Sequence, residues 1–129
     1  MKNVVDSSGW LEYFSQGKNA AFFTPAIQGL ENLLVPGICF YEVFKKILME
    51  KGEEMALQAV GVMSYGCEVA LERAIALEAA QISIDLKLAM ADSLILATAR
   101  LNDATLWTQD AHFKDLPGVE YNEKKKERT

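Results

Sequence analysis

Acidic residues recur in this chain beside apolar runs, where a solvated charge is not expected. Asp6 closes the short run Asn3-Val4-Val5. Glu42 stands inside Phe40-Tyr41-Glu42-Val43-Phe44, between large apolar side chains. Asp92 opens a stretch, residues 90–100, that is apolar almost all round except for Ser93, Thr98 and Arg100. Asp110 follows Ala104-Thr105-Leu106-Trp107-Thr108 after one intervening residue. If the four carboxylates meet, their repulsion raises some pKa values unless a cation screens it. Mg²⁺ or Mn²⁺ suits such a set. Both take oxygen ligands, and Mg²⁺ keeps several waters while using one or two carboxylates directly. A site of this kind orients and activates water for attack on a phosphodiester and stabilises the charge on the leaving oxygen.

Each acid also has a plainer reading. Asp6, Asp92 and Asp110 all precede a helix or turn, and Asp is a favoured N-cap worth about 1 kcal/mol. Taken singly, capping accounts for each of the three. Glu42 is different, because it falls within a helix. For it the plain reading is an i,i+4 bridge to Lys46. Failing that bridge, a partly buried carboxylate needs a cation or a proton.

The elements that would position these acids can be read from periodicity and breakers. Strands are expected at 3–6, 33–35, 67–70, 104–108 and 119–121. Ser7-Ser8 can cap a helix carrying Trp10, Leu11, Tyr13 and Phe14, which ends at Gly17. A second helix over 19–30 contains Pro25, which predicts a break near Thr24. A long helix over 38–51, stopped by Gly52, would bury Ile38, Tyr41, Phe44, Ile47 and Leu48. Further helices are expected over 53–65, over 71–83 and from Asp92 to the stop at Asn102-Asp103. Strands alternating with helices imply an α/β fold with a mainly parallel sheet. In such sheets ligands bind beyond the carboxyl ends of the strands. All four acids would then lie at that edge.

Composition narrows the alternatives. The chain has 129 residues, half of them hydrophobic, which fits one domain with one core. The net charge of −5 argues against nucleic-acid binding through a general basic surface. It does not exclude a nuclease, since a bound cation gives an acidic centre positive charge. No apolar run approaches the ~20 residues of a membrane span, and the N-terminus lacks a signal peptide's apolar stretch. A cytoplasmic, non-membrane protein is the expectation. Cys39 and Cys67 lie in apolar segments without metal-ligand spacing, so both are read as buried free thiols.

Other chemistries lack their residues. His112 is the single histidine, so catalysis by a pair of histidines is excluded. It is read as a surface residue beside Asp110. There is no Gly-x-Ser-x-Gly elbow, phosphate loop or dinucleotide fingerprint. Zinc lacks its common ligands. Lys45, Lys46, Lys51 and Arg100 are either phosphate contacts or solvated charges. Met55, Val60, Val62 and Met63 are either core or an exposed groove. The segment 123–129 is a mixed-charge tail, leaving 1–122 as the folded domain.

Together these stretches resemble a known family, the PIN domains, and within it the small VapC-type toxin ribonucleases. The resemblance rests on Val4-Val5-Asp6-Ser7-Ser8, Phe40-Tyr41-Glu42-Val43, Met90-Ala91-Asp92-Ser93-Leu94-Ile95-Leu96-Ala97-Thr98-Ala99, and Leu106-Trp107-Thr108-Gln109-Asp110-Ala111-His112-Phe113, in that order and spacing. It implies a three-layer α/β/α fold with a central, mainly parallel sheet. It also implies an Mg²⁺- or Mn²⁺-dependent endoribonuclease acting on RNA, with Asp6, Glu42, Asp92 and Asp110 as the acidic metal site. Thr108, in Thr-x-Asp, matches a supporting polar residue. Such toxins are usually homodimers held inactive by a small antitoxin protein. A non-catalytic binding module on the same scaffold remains an alternative, as does a PIN nuclease of RNA processing. The apolar segment 85–89 carries little turn chemistry, which leaves the start of the Asp92 helix open.

Overall fold

In the computed structural model, which describes residues 1–125, the first strand, β1 (Lys2–Val5), lies at the centre of the sheet. Val4 and Val5 point to opposite faces of the strand, yet neither is exposed. Both faces of the sheet are therefore covered. The remaining elements follow as α1 (Ser7–Phe14), α2 (Ala20–Gln28), β2 (Leu33–Pro36), α3 (Gly37–Lys51) and α4 (Glu53–Met63). Then come β3 (Cys67–Val69), α5 (Arg73–Leu86), α6 (Met90–Leu101), β4 (Ala104–Thr108) and β5 (Val119–Tyr121). The sheet order is β3-β2-β1-β4-β5, and all four ladders are parallel. Every residue of β2 is buried, as a strand covered on both faces requires. This is the expected α/β/α sandwich.

The strand order reverses at β1, whose neighbours are β2 on one side and β4 on the other. The carboxyl ends of β1 and β4 flank that switch point, where open parallel sheets place their ligands. The two ends are locked in register by pairing from Lys2↔Ala104 to Val5↔Trp107. Helix α6 lies beneath them with an unbroken buried run, Ser93–Ala99, as its near-continuous apolar sequence predicts. Gly9 in α1 is needed for close packing. A Cβ there would stand 2.6 Å from both Phe23 Cε1 and Val5 Cγ1.

Several local expectations are corrected. Pro25 does not break α2, which runs on to Gln28. Pro25 and Ala21, whose carbonyl loses its partner, both face solvent. Burial of Phe23, Ala26 and Ile27 offsets the helix penalty. In α3 the fully buried residues are Cys39 and Val43, whereas Tyr41 and Leu48 are exposed. Glu42 is turned inward, and this rotates Tyr41, ~100° further back round the helix, outward. Cys67 is exposed, on edge strand β3, and only Cys39 is a buried thiol. Of the apolar residues in α4, Met63 is buried, while Met55 and Val62 are exposed.

Helix α5 extends to Leu86, three residues beyond the expected end. The missing turn chemistry is then supplied by Lys87, which adopts φ 55°. Ser83 Oγ donates to the Leu88 carbonyl (2.8 Å) and Ser93 Oγ to that of Ala89 (2.8 Å). The chain thus enters α6 with Ala89 as its N-cap. The expected tail 123–129 falls partly outside the described residues. Glu123 itself is held, its carbonyl accepting from Asn19 Nδ2 at 2.9 Å.

Candidate metal centre

Asp6 leaves the end of β1 and becomes the N-cap of α1, so Ser7 and Ser8 are not the caps. Its Oδ1 accepts from the Gly9 amide at 2.9 Å. Ser8 Oγ reaches both carboxylate oxygens, at 2.8 and 2.9 Å, and Thr108 Oγ1 donates to Oδ2 at 2.6 Å. The carboxyl is only 2% exposed. Burial raises its pKa to about 7, against the lowering effect of the Thr108, Gly9 and Ser8 hydrogen bonds. Asp110 adds to the rise.

Thr108 couples the two strand ends. While its hydroxyl donates to Asp6, its oxygen accepts from the Asp110 amide at 2.9 Å. Asp110 in turn caps a short 3-10 turn, Ala111–Phe113, accepting from the His112 amide at 2.9 Å. Thr108→Val should lower stability by about 1–3 kcal/mol, since it strips a partner from Asp6 and orphans the Asp110 amide. Urea unfolding checks the loss, and unchanged unfolding would show that the hydroxyl is not needed to join the strands.

Asp92 is the third residue of α6 and not its cap. Capping therefore does not explain it. Its carboxyl is half-buried, and burial followed by repulsion from Asp110 raises its pKa, against the effect of His112. Glu42 lies one turn into α3, where its Oε1 accepts from Ser7 Oγ at 2.7 Å. The bridge to Lys46 is absent, since Lys46 pairs with Glu50 at 3.4 Å. Glu42 is near enough to raise the pKa of Asp92 further.

Among the described residues, the tightest group of possible metal ligands is Asp92, Asp110 and His112, with ligand atoms all within 4.8 Å of one another. Asp6 stands outside that group and is joined to Asp110 through Thr108. Glu42 is also outside it and is tied by Ser7 to the Asp6 turn. The carboxylate donors are hard oxygens, suited to Mg²⁺ or Mn²⁺. Asp6 and Asp92 both resist ionisation, and a divalent cation among them would reverse that cost. The residues present therefore fit such an ion. Sequence reasoning missed His112 as a member of the group. Its signal was the spacing Asp110-x-His112, which an Asp-capped turn folds back on itself.

A doubly covered parallel sheet with acids gathered at its switch point defines an α/β protein with an acidic centre at its ligand-binding edge. The chain belongs to the PIN domain family, a family of nucleases, whose pattern matches residues 4–119. Solved structures share the fold. A toxin–antitoxin complex from Klebsiella pneumoniae is 24% identical over 92% of this chain and 96% of that one, with a TM-score of 0.73. VapBC2 from Rickettsia felis, bound to a DNA fragment from its promoter, is 14% identical over 95% and 98%, with a TM-score of 0.75. VapC20 from Mycobacterium tuberculosis, a toxin that cleaves the sarcin-ricin loop, is 11% identical over 81% and 85%, with a TM-score of 0.65. No curated protein matches the chain.

Proposed function

We propose that the chain is a metal-dependent endoribonuclease of the VapC type, the toxin of a toxin–antitoxin pair. In this reading Asp6, Glu42, Asp92 and Asp110 hold Mg²⁺ or Mn²⁺, and Thr108 positions Asp6 and Asp110. The carrying observation is the convergence of acids from four segments on one sheet edge, at the cost in ionisation described above. A bound divalent ion would supply a polarised water and stabilise charge on the phosphodiester oxygens. The protein's own part is placement. Thr108 fixes the spacing between the β1 and β4 ends, Ser7 orients Glu42, and the buried body of α6 fixes Asp92.

The toxin assignment draws on the solved relatives, several of which are toxin–antitoxin proteins. RNA as substrate draws on the sarcin-ricin-loop-cleaving toxin among them. A groove of about 570 Å³ between α1 and the α3–α4 pair, with Leu11, Phe14, Ile47, Met55 and Val62 in its walls, is where we place the antitoxin. A homodimer and a cytoplasmic location complete the proposal. No helix among the described residues is long and apolar enough to cross a membrane.

A binding module whose acids act only as caps is the competing reading. It accounts for Asp6 and Asp110, which do cap. It does not account for Asp92 and Glu42, neither of which is a helix cap. Incubation with structured RNA in Mg²⁺ or Mn²⁺ should give internal cleavage that EDTA abolishes, and calorimetry should register Mn²⁺ binding. No binding heat at millimolar ion and no change in melting on chelation would favour the module.

A further inference from the structure

We infer that His112 is itself a ligand to the divalent ion, so that the centre carries one nitrogen donor and favours Mn²⁺ over Mg²⁺. This inference rests on the metal-site reading above and goes beyond it. His112 Nδ1 lies 3.3 Å from Asp92 Oδ2 and 3.3 Å from Asp110 Oδ1. Neighbouring corners of an octahedron with bonds of ~2.1 Å are ~3 Å apart. His112 Nδ1 is thus spaced from each carboxylate oxygen much as adjacent ligands of one ion are, with the ligand atoms of all three residues within 4.8 Å of one another.

The placement of the ring is built into the local backbone. Asp110 accepts from the His112 amide, and Phe113, the next residue, is fully buried. Together they anchor the turn on both sides of His112 and hold its ring over the acids. The ring is otherwise open to solvent, with the side chain 70% exposed, so packing does not account for its orientation. A hydrogen bond to Asp92, with Asp110 at ion-pair distance, does account for the same distances in the metal-free state. The two roles differ once an ion is present.

The consequence for metal choice is chemical. Mg²⁺ is best served by oxygen donors and waters in near-ideal octahedral geometry. Imidazole nitrogen is a better donor to the transition metals, and affinity at such sites rises from Mn²⁺ along the first-row series. A centre of carboxylates and one imidazole therefore gains affinity for Mn²⁺ without a matching gain for Mg²⁺.

Because the chain has a single histidine, the untagged protein gives an unambiguous readout. Pulsed EPR of its Mn²⁺ complex should show imidazole ¹⁴N coupling, which His112→Gln should remove. The same substitution should weaken Mn²⁺ binding by about ten-fold and Mg²⁺ binding by no more than about two-fold, read by calorimetry. Mn²⁺ bound without nitrogen coupling would overturn the role of His112 and leave the acidic metal site standing. Failure of the wild-type protein to bind Mn²⁺ would overturn both. Equal weakening for the two ions would refute the preference.

Discussion

Asp6→Asn is expected to abolish metal-dependent cleavage and to make the metal-free protein more stable above neutral pH. The carboxyl is buried, and its pKa stands at about 7 in the folded chain against 3.8 as the reference value. For an acid whose folded pKa is raised, the sign is fixed. Its contribution to stability is present in full below the unfolded pKa and is lost as pH rises through the folded one. Between about pH 4 and pH 7 the metal-free protein should therefore lose on the order of 4 kcal/mol from this group alone. Asn cannot ionise, and so it escapes that loss. It can still accept from the Gly9 amide, but the Thr108 hydroxyl must reorient, at about 1 kcal/mol.

The net expectation at pH 8 is a gain of roughly 2–3 kcal/mol, or some 5–10 °C in melting temperature. At pH 4 the gain should vanish, since Asp6 is then neutral in the folded chain and close to its titration midpoint in the unfolded one. Added Mn²⁺ should raise the melting temperature of the wild-type chain more than that of the variant, because stabilisation by the ion grows with its affinity for the folded state. Thermal melts from pH 4 to 8 with EDTA, repeated with Mn²⁺, read all of this. Parallel pH profiles for the two proteins would show that Asp6 does not carry the ionisation cost assigned to it.

That cost could not have been read from the sequence. Asp6 after Val4-Val5 signalled a strand end and a cap, and both are found. Its burial comes from β4 and Thr108, about a hundred positions away in the chain. Local pattern did fix the strands, the helix over residues 90–100 and the edge on which the acids fall. Periodicity failed where a helix carries apolar residues on more than one face. In α3 the buried face is centred on Cys39 and Val43, with Glu42 bonded to Ser7, and Tyr41 is lost from the expected core. Breakers failed where burial outweighed them, as at Pro25. The turn before α6 uses Lys87 at positive φ with two serines, a combination that no composition rule marks. The Gln109–Asn19 hydrogen bond (3.1 Å) joins residues ninety positions apart and likewise leaves no local trace.

Asp92→Asn should lower cleavage at least a thousand-fold while moving metal-free stability by no more than about 1 kcal/mol. A thousand-fold corresponds to about 4 kcal/mol of transition-state stabilisation, within what a divalent centre provides. The small stability change follows from position. Asp92 is not the N-cap of α6, so no capping bond is lost. Its favourable interaction with the helix N-terminus is worth some 0.3–1 kcal/mol. Against this, removing the charge relieves the repulsion by Asp110 that raises its pKa. The buried face of α6, Ser93–Ala99, is untouched and should hold the helix in place. Asp110→Asn provides the contrast, because Asn also keeps the cap on the 3-10 turn. The two variants should lose activity together while both remain folded by circular dichroism. If either cleaves RNA at the wild-type rate in Mg²⁺, its carboxylate is not a metal ligand needed for turnover. If both do, the gathered acids do not carry the cleavage, and the metal-centre reading fails.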